Sequence, residues 1–163
     1  MRTVMGLQMD LPQGKLPGFY AQIIKGIADI TTLIDRSGEL LFIEPQHAAA
    51  VMKVLQHYKV EAEQDEWIEL SEPDWRLEAI WEDYGVTARA GGKFAELRLA
   101  CVGAVYPADS SEELEQAWMQ IEEHNIASLQ TAANRRLFVV DRQLAELIEG
   151  IAKAYRCNLE WLY

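Results

Sequence analysis

The sequence predicts an α+β fold: a ferredoxin-like βαββαβ N-terminal half continued by a helix-rich second half with further strands. Three observations lead there. Apolar residues recur at helical spacing in some segments and alternate at strand spacing in others. Proline, glycine and capping residues fall at the joins between those segments. The 163 residues contain no internal repeat at a fixed period, no low-complexity tract and no linker. One domain over 1–163 is therefore expected, with 1–70 as the βαββαβ unit and 71–163 as an αβα(β)αβ extension. A chain of this length buries roughly 70% of its unfolded surface without metal or disulfide support.

The elements follow in order. "RTVMGLQMDL" has the apolar content of a strand and ends at Pro12 and Gly14. Pro17 suits a first helical turn, and Phe19, Ile23 and Ile27 follow at i, i+4, i+8. "ITTLID", "RSG" and "ELLFI" read as strand, turn and strand of a hairpin. Pro45 opens a second helix whose Val51, Val54, Leu55 and Tyr58 share a face, and "KVEAE" starts a strand that continues to Leu70. Pro73 then opens a third helix, with Leu77, Ile80, Trp81 and Tyr84 at i, i+3, i+4, i+7 and Gly85 at its cap. "KFAELRLACVGAVY" reads as one long strand. Ser110 and Glu113 predict a capping box for a helix carrying Leu114, Trp118 and Ile121. "RRLFVV" fits either a strand or a helix. Asp141 caps a last helix, and "NLEWLY" is a terminal strand.

Composition excludes several classes. Half the residues are hydrophobic and a quarter charged, as in an ordinary globule. The opening residues lack a signal-peptide core, and no apolar run approaches the ~18 residues that span a bilayer. Cys101 and Cys157 have no nearby His or Cys and read as buried free thiols, so the cytoplasm is expected. Neither a metal nor a cofactor is implied. Acid pairs such as Asp65/Glu66 and Glu122/Glu123 lack calcium-loop spacing and read as solvated faces.

No catalytic residue is assigned. His47, His57 and His124 are the natural general bases, yet GxSxG, HExxH and CxxC are all absent. An enzyme would need His47 or His57 beside Arg89 or Lys93, and nothing in the sequence unites them. The loop "VTARAGGKFAELR" does carry anion-binding features. Gly91 and Gly92 let amides turn outward, and Arg89 and Lys93 bracket them with positive charge. It is not a P-loop.

Net charge is −11, and it is uneven. Residues 61–83 hold ten acids against the single base Arg76, and 109–123 hold six acids and no base. Such a field opposes nucleic acid and anionic membrane and favours a basic partner. On the helix expected from Pro73, with Trp75 at zero, Leu77, Ile80, Trp81 and Tyr84 fall at about 200°, 140°, 240° and 180°. Trp75 then lies on the opposite, polar face beside Glu78, Ala79 and Glu82, an exposed indole, and Glu72 and Asp74 join Trp75, Glu78 and Glu82 as the expected partner-binding residues. An aromatic so placed is a typical interface anchor. The first functional expectation is thus a non-catalytic acidic protein that recognises a basic protein surface, of inhibitor, immunity or adaptor type. The alternative is a small-anion sensor or dimeric regulatory module using Arg89, Gly91, Gly92 and Lys93, with a homodimer as a further partner.

Overall fold

The computed structural model of the protein describes residues 1–131 and 134–163. It mixes helices with antiparallel sheets in an α+β architecture. Where one domain is expected, the chain divides into two compact units: Met1–Ser71 with Val86–Phe94, and Glu72–Gly85 with Ala95–Tyr163. Among the described residues, no helix is long and apolar enough to cross a membrane.

The first unit contains β1 (Arg2–Asp10), α1 (Pro17–Ala28), β2 (Asp35–Ser37), β3 (Leu40–Ile43), α2 (Ala48–His57) and β4 (Glu61–Glu69). Its central pairs, β1 with β3, β1 with β4 and β2 with β3, are antiparallel. With β6 (Gly85–Thr87) and β7 (Lys93–Glu96), the sheet order is β2-β3-β1-β4-β7-β6. Strand periodicity divides the apolar residues between two clusters. Leu7, Met9, Leu41 and Ile43 pack with Ile23 and Ile27 of α1 and Val51 and Leu55 of α2. Val4, Leu40, Phe42, Trp67, Ala88 and Phe94 form the other cluster. There Phe42 stacks on Phe94 at 3.8 Å and meets Trp67 edge-on at 5.4 Å. The helical stripe read at Ile23 and Ile27 is fully buried. Each such side chain contributes about 1.5–3 kcal/mol through removal from water. The first hairpin strand starts later than expected, at Asp35, although the Ile34 amide still donates to the Phe42 carbonyl at 2.9 Å.

The second unit corrects three readings. Pro73 does not open a helix. Residues there form β5 (Arg76–Leu77) and a 3-10 turn at Trp81–Asp83. The helical spacing of Leu77, Ile80 and Trp81 is real, but β9 (Asn125–Gln130) offers Arg76 and Leu77 a strand partner, pairing them with Ser128 and Ala127. Tertiary pairing overrides the local pattern. The long strand expected from Lys93 is also broken, into β7 and β8 (Ala100–Pro107). A turn lies between them, and Arg142 holds it: its Nε donates to the Leu97 carbonyl at 2.8 Å and its Nη2 to the Ala100 carbonyl at 3.0 Å. Third, the Ser110 hydroxyl caps α3 (Ser111–Glu122) by accepting from the Glu112 amide at 3.2 Å, while Glu113 pairs with Arg156 instead of completing a box. "RRLFVV" resolves as β10 (Arg136–Asp141), followed by α4 (Ala145–Ala154) and β11 (Cys157–Trp161).

The second sheet runs β11-β8-β10-β9-β5. Cys101, Val105, Phe138 and Val140 pack there against Leu114, Trp118, Ile121 and Ile148 of the two helices. Comparing the units shows a repeat that the sequence hides. The run β8-α3-β9-β10-α4-β11 has the element order of β1-α1-β2-β3-α2-β4, and its strands lie in the same relative order.

Candidate anion-binding site

Trp75 is not the exposed anchor expected from the helical wheel: it is buried, with 4% exposure. Without a helix at Pro73 the wheel has no basis, and an indole of this size is stabilised inside a unit. Its Nε1 donates to Glu72 at 3.2 Å. Burial alone would raise the Glu72 carboxyl; the indole and its own backbone amide are among the groups that outweigh burial and hold it below the ordinary value. Glu78 pairs with Arg76 at 3.0 Å, whereas Asp74 and Glu82 are exposed. The aromatic that these acids were expected to surround is withdrawn from the surface.

The loop from Ala88 to Lys93 does turn its amides onto an anion, but the anion belongs to the chain. Asp35, with 8% exposure, accepts from the amides of Arg36 at 2.8 Å, Ala90 at 3.0 Å and Gly92 at 3.2 Å. The loop closes on itself through Ala88 N to Gly92 O at 2.7 Å and Gly91 N to Ala88 O at 2.9 Å. Its glycines are required by geometry. Gly91 has φ +95°, and a Cβ at Gly92 would lie 2.9 Å from an Asp35 oxygen. Gly91, Gly92 and the neighbouring amides therefore do not form an open cradle. The expectation of an anion held by this backbone is corrected to an internal carboxylate clamp.

The clamp has a consequence for the side chains around it. The Arg89 amide donates to the Arg36 carbonyl at 2.8 Å, which fixes the two arginines side by side along the chain pairing. Both line a cavity of about 370 Å³ together with Leu11, Tyr20, Gly38 and Glu39. Arg36 Nη1 donates to the Tyr20 hydroxyl at 3.0 Å, and its guanidinium carbon lies 5.7 Å from the Tyr20 ring centre. Two guanidinium residues, a phenol and an apolar wall can hold an oxyanion attached to a small apolar body. The sequence pointed to Arg89 but not to Arg36 or Tyr20, which are distant in the chain. Lys93 does not line this cavity.

The histidines are not gathered. His57 is exposed, His124 is half-buried, and His47 lines a different cavity of about 720 Å³ with Arg2, Glu44 and Glu69. Arg2 bonds both glutamates there, at 2.5 Å each, so its guanidinium is already engaged. Among the described residues, no three His, Cys, Asp or Glu side chains are grouped so as to hold a metal.

The chain matches no protein-family model and no curated protein. Among solved structures, a crystal structure of the allosteric enzyme aspartate kinase from Clostridium acetobutylicum aligns with 94% of this chain and 33% of its own, at 9% identity and a TM-score of 0.29. This chain thus spans about a third of the length of that one, and a likeness at this level carries no argument about fold or function.

Proposed function

We propose that the chain is a non-catalytic regulatory module that binds a small anion, built from two ferredoxin-like βαββαβ units. One juxtaposition supports the reading: Tyr20, Arg36 and Arg89 around a single cavity beside Leu11. Tyr20 holds Arg36 in place through a hydrogen bond and its ring face, so less side-chain freedom is lost on binding. The planar guanidinium fork favours a carboxylate or phosphate. Glu39 in the lining disfavours a second negative charge, which selects a monoanion with an apolar body, such as an aromatic carboxylate. Titrating the protein with benzoate and inorganic phosphate in a thermal-unfolding assay tests this. A ligand at a hundredfold excess over its Kd stabilises by about 2.7 kcal/mol. Arg36→Ala and Arg89→Ala should each abolish the shift. No stabilisation by either anion, or a shift that survives both substitutions, ends the proposal.

A second reading keeps the basic protein partner. It is favoured by a cleft of about 390 Å³ in the first unit, lined by Asp10, Glu39, Glu61 and Glu63. Four carboxylates there suit a lysine or arginine side chain presented by a partner, and the net charge of −11 steers it inward. Binding of this kind weakens steeply with salt and falls in Glu61→Gln and Glu63→Gln; salt-insensitive binding contradicts it. β11 ends its sheet and offers an edge for a second copy of the chain. The two free cysteines fit a reducing compartment such as the cytoplasm.

A further inference from the structure

We propose a second ligand site, in the unit of Glu72–Gly85 and Ala95–Tyr163, for a small carboxylate that also carries a hydrogen-bond donor. It lies in a cavity of about 240 Å³, the liquid volume of about eight waters, and is independent of the Arg36–Arg89 site. The key residue is Arg136, at the start of β10. It is buried, with 9% exposure, and lines the cavity. Its guanidinium carbon lies 5.0 Å from the Trp118 ring centre, and its Nη2 pairs with Glu115. Among the described residues, its buried Nε has no hydrogen-bond partner. A buried donor in that condition is destabilising, so an acceptor supplied by a ligand recovers free energy the fold leaves unclaimed.

The chemistry of the acceptor follows from the fork. Nε and Nη2 lie on one edge of a guanidinium and take the two oxygens of a carboxylate together. Glu115 holds only that edge's Nη2, and its side chain is 60% exposed, so it can yield to an incoming group. Other residues of the cavity have the opposite demand. Asp74 and Glu122 line it beside Arg76, and ionised carboxylates only accept. Glu122 is 3.5 Å from Arg76, while Asp74 is exposed. A ligand spanning the cavity must therefore accept at Arg136 and donate toward Asp74, with Trp118 beneath and Ser128 and Gln130 at the sides. A hydroxycarboxylate such as lactate meets both demands, acetate meets only the first, and sulfate lacks both the planar shape and the donor.

Calorimetric titration of the full chain with lactate, acetate and sulfate tests the site. Lactate should bind more tightly than acetate, and sulfate weakest. Arg136→Lys keeps the charge and removes the fork, and should weaken lactate about tenfold. Because Arg136 is buried, its variant is checked for folding by circular dichroism. Asp74→Asn, at an exposed residue, should weaken lactate while leaving acetate unchanged. Equal affinity for the three anions, or lactate binding unaltered by Asp74→Asn, overturns the proposal. Loss of lactate binding in Arg36→Ala with Asp74→Asn unaffected would also overturn it, and would leave the first-unit reading standing.

Discussion

Asp35 is a charged side chain that the first unit buries, and its three amide partners explain how it stays there. Replacing it with alanine leaves the amides of Arg36, Ala90 and Gly92 without that acceptor. Asp35→Ala should therefore cost at least about 1–3 kcal/mol, read as a lowered urea midpoint at unchanged slope. The same variant should weaken anion binding at the neighbouring arginines, because the clamp sets their spacing. Cys101 makes a second residue-scale case. Burial pushes its thiol up from 9.0 to about 11, with Asp141 adding to the rise and Arg142 opposing it. The fold thus favours the neutral thiol. This contribution is complete below pH 9, where the unfolded thiol is also neutral, and is lost as pH climbs through about 11. Alkylation of the native protein should label Cys157, which is half-buried, well before Cys101. Equal labelling rates would contradict the burial. The burial of Cys101 follows the sequence reading of two buried free thiols, Cys157 departs from it in being half-buried, and the enclosure of Asp35 was not legible in the sequence.

At the scale of elements, local patterning succeeded where one face had to be buried and failed where a strand partner competed. The stripes of α1 and α3 lie inward as read, at Ile23 and Ile27 and at Leu114, Trp118 and Ile121. The Ser110 hydroxyl caps α3, and Ser110→Ala should cost about 1 kcal/mol in thermal or urea unfolding. The segment after Pro73 has an equally good helical spacing, yet it becomes a short strand and a turn. Trp75→Ala measures that difference. A buried indole should cost about 3–5 kcal/mol when truncated, whereas an exposed one would cost almost nothing. Tyr84 gives an alkaline counterpart. Its hydroxyl bonds the Asp141 carboxylate at 2.7 Å, and that bond, with burial and the charges of Asp141 and Asp83, raises its pKa. The neutral phenol is the bonded form, so this stabilisation is present below the ordinary tyrosine pKa and fades as pH rises through the folded value. Tyr84→Phe should flatten that part of the stability profile.

For the whole molecule, the repeated element order changes how the charge is read. The acids of 61–83 fall partly on β4 of one unit and partly on the strand-and-turn segment of the other. The run is therefore one block in sequence that is divided between two units. Complex formation with a basic protein, if the acidic cleft mediates it, should weaken with ionic strength and follow Glu61 and Glu63, not Trp75. The sequence by itself determined the α+β class, most helix and strand positions and the acidic character, because periodicity, capping and composition act over a few residues. It also singled out Arg89 as a cation beside a glycine turn. Only the tertiary structure decided that Asp35 fills that turn, that Arg36 and Tyr20 join Arg89, that Trp75 is enclosed, and that the second half repeats the element order of the first. Each of these depends on pairing between residues far apart in the chain, and such pairing leaves no period in a single sequence from which it could be read.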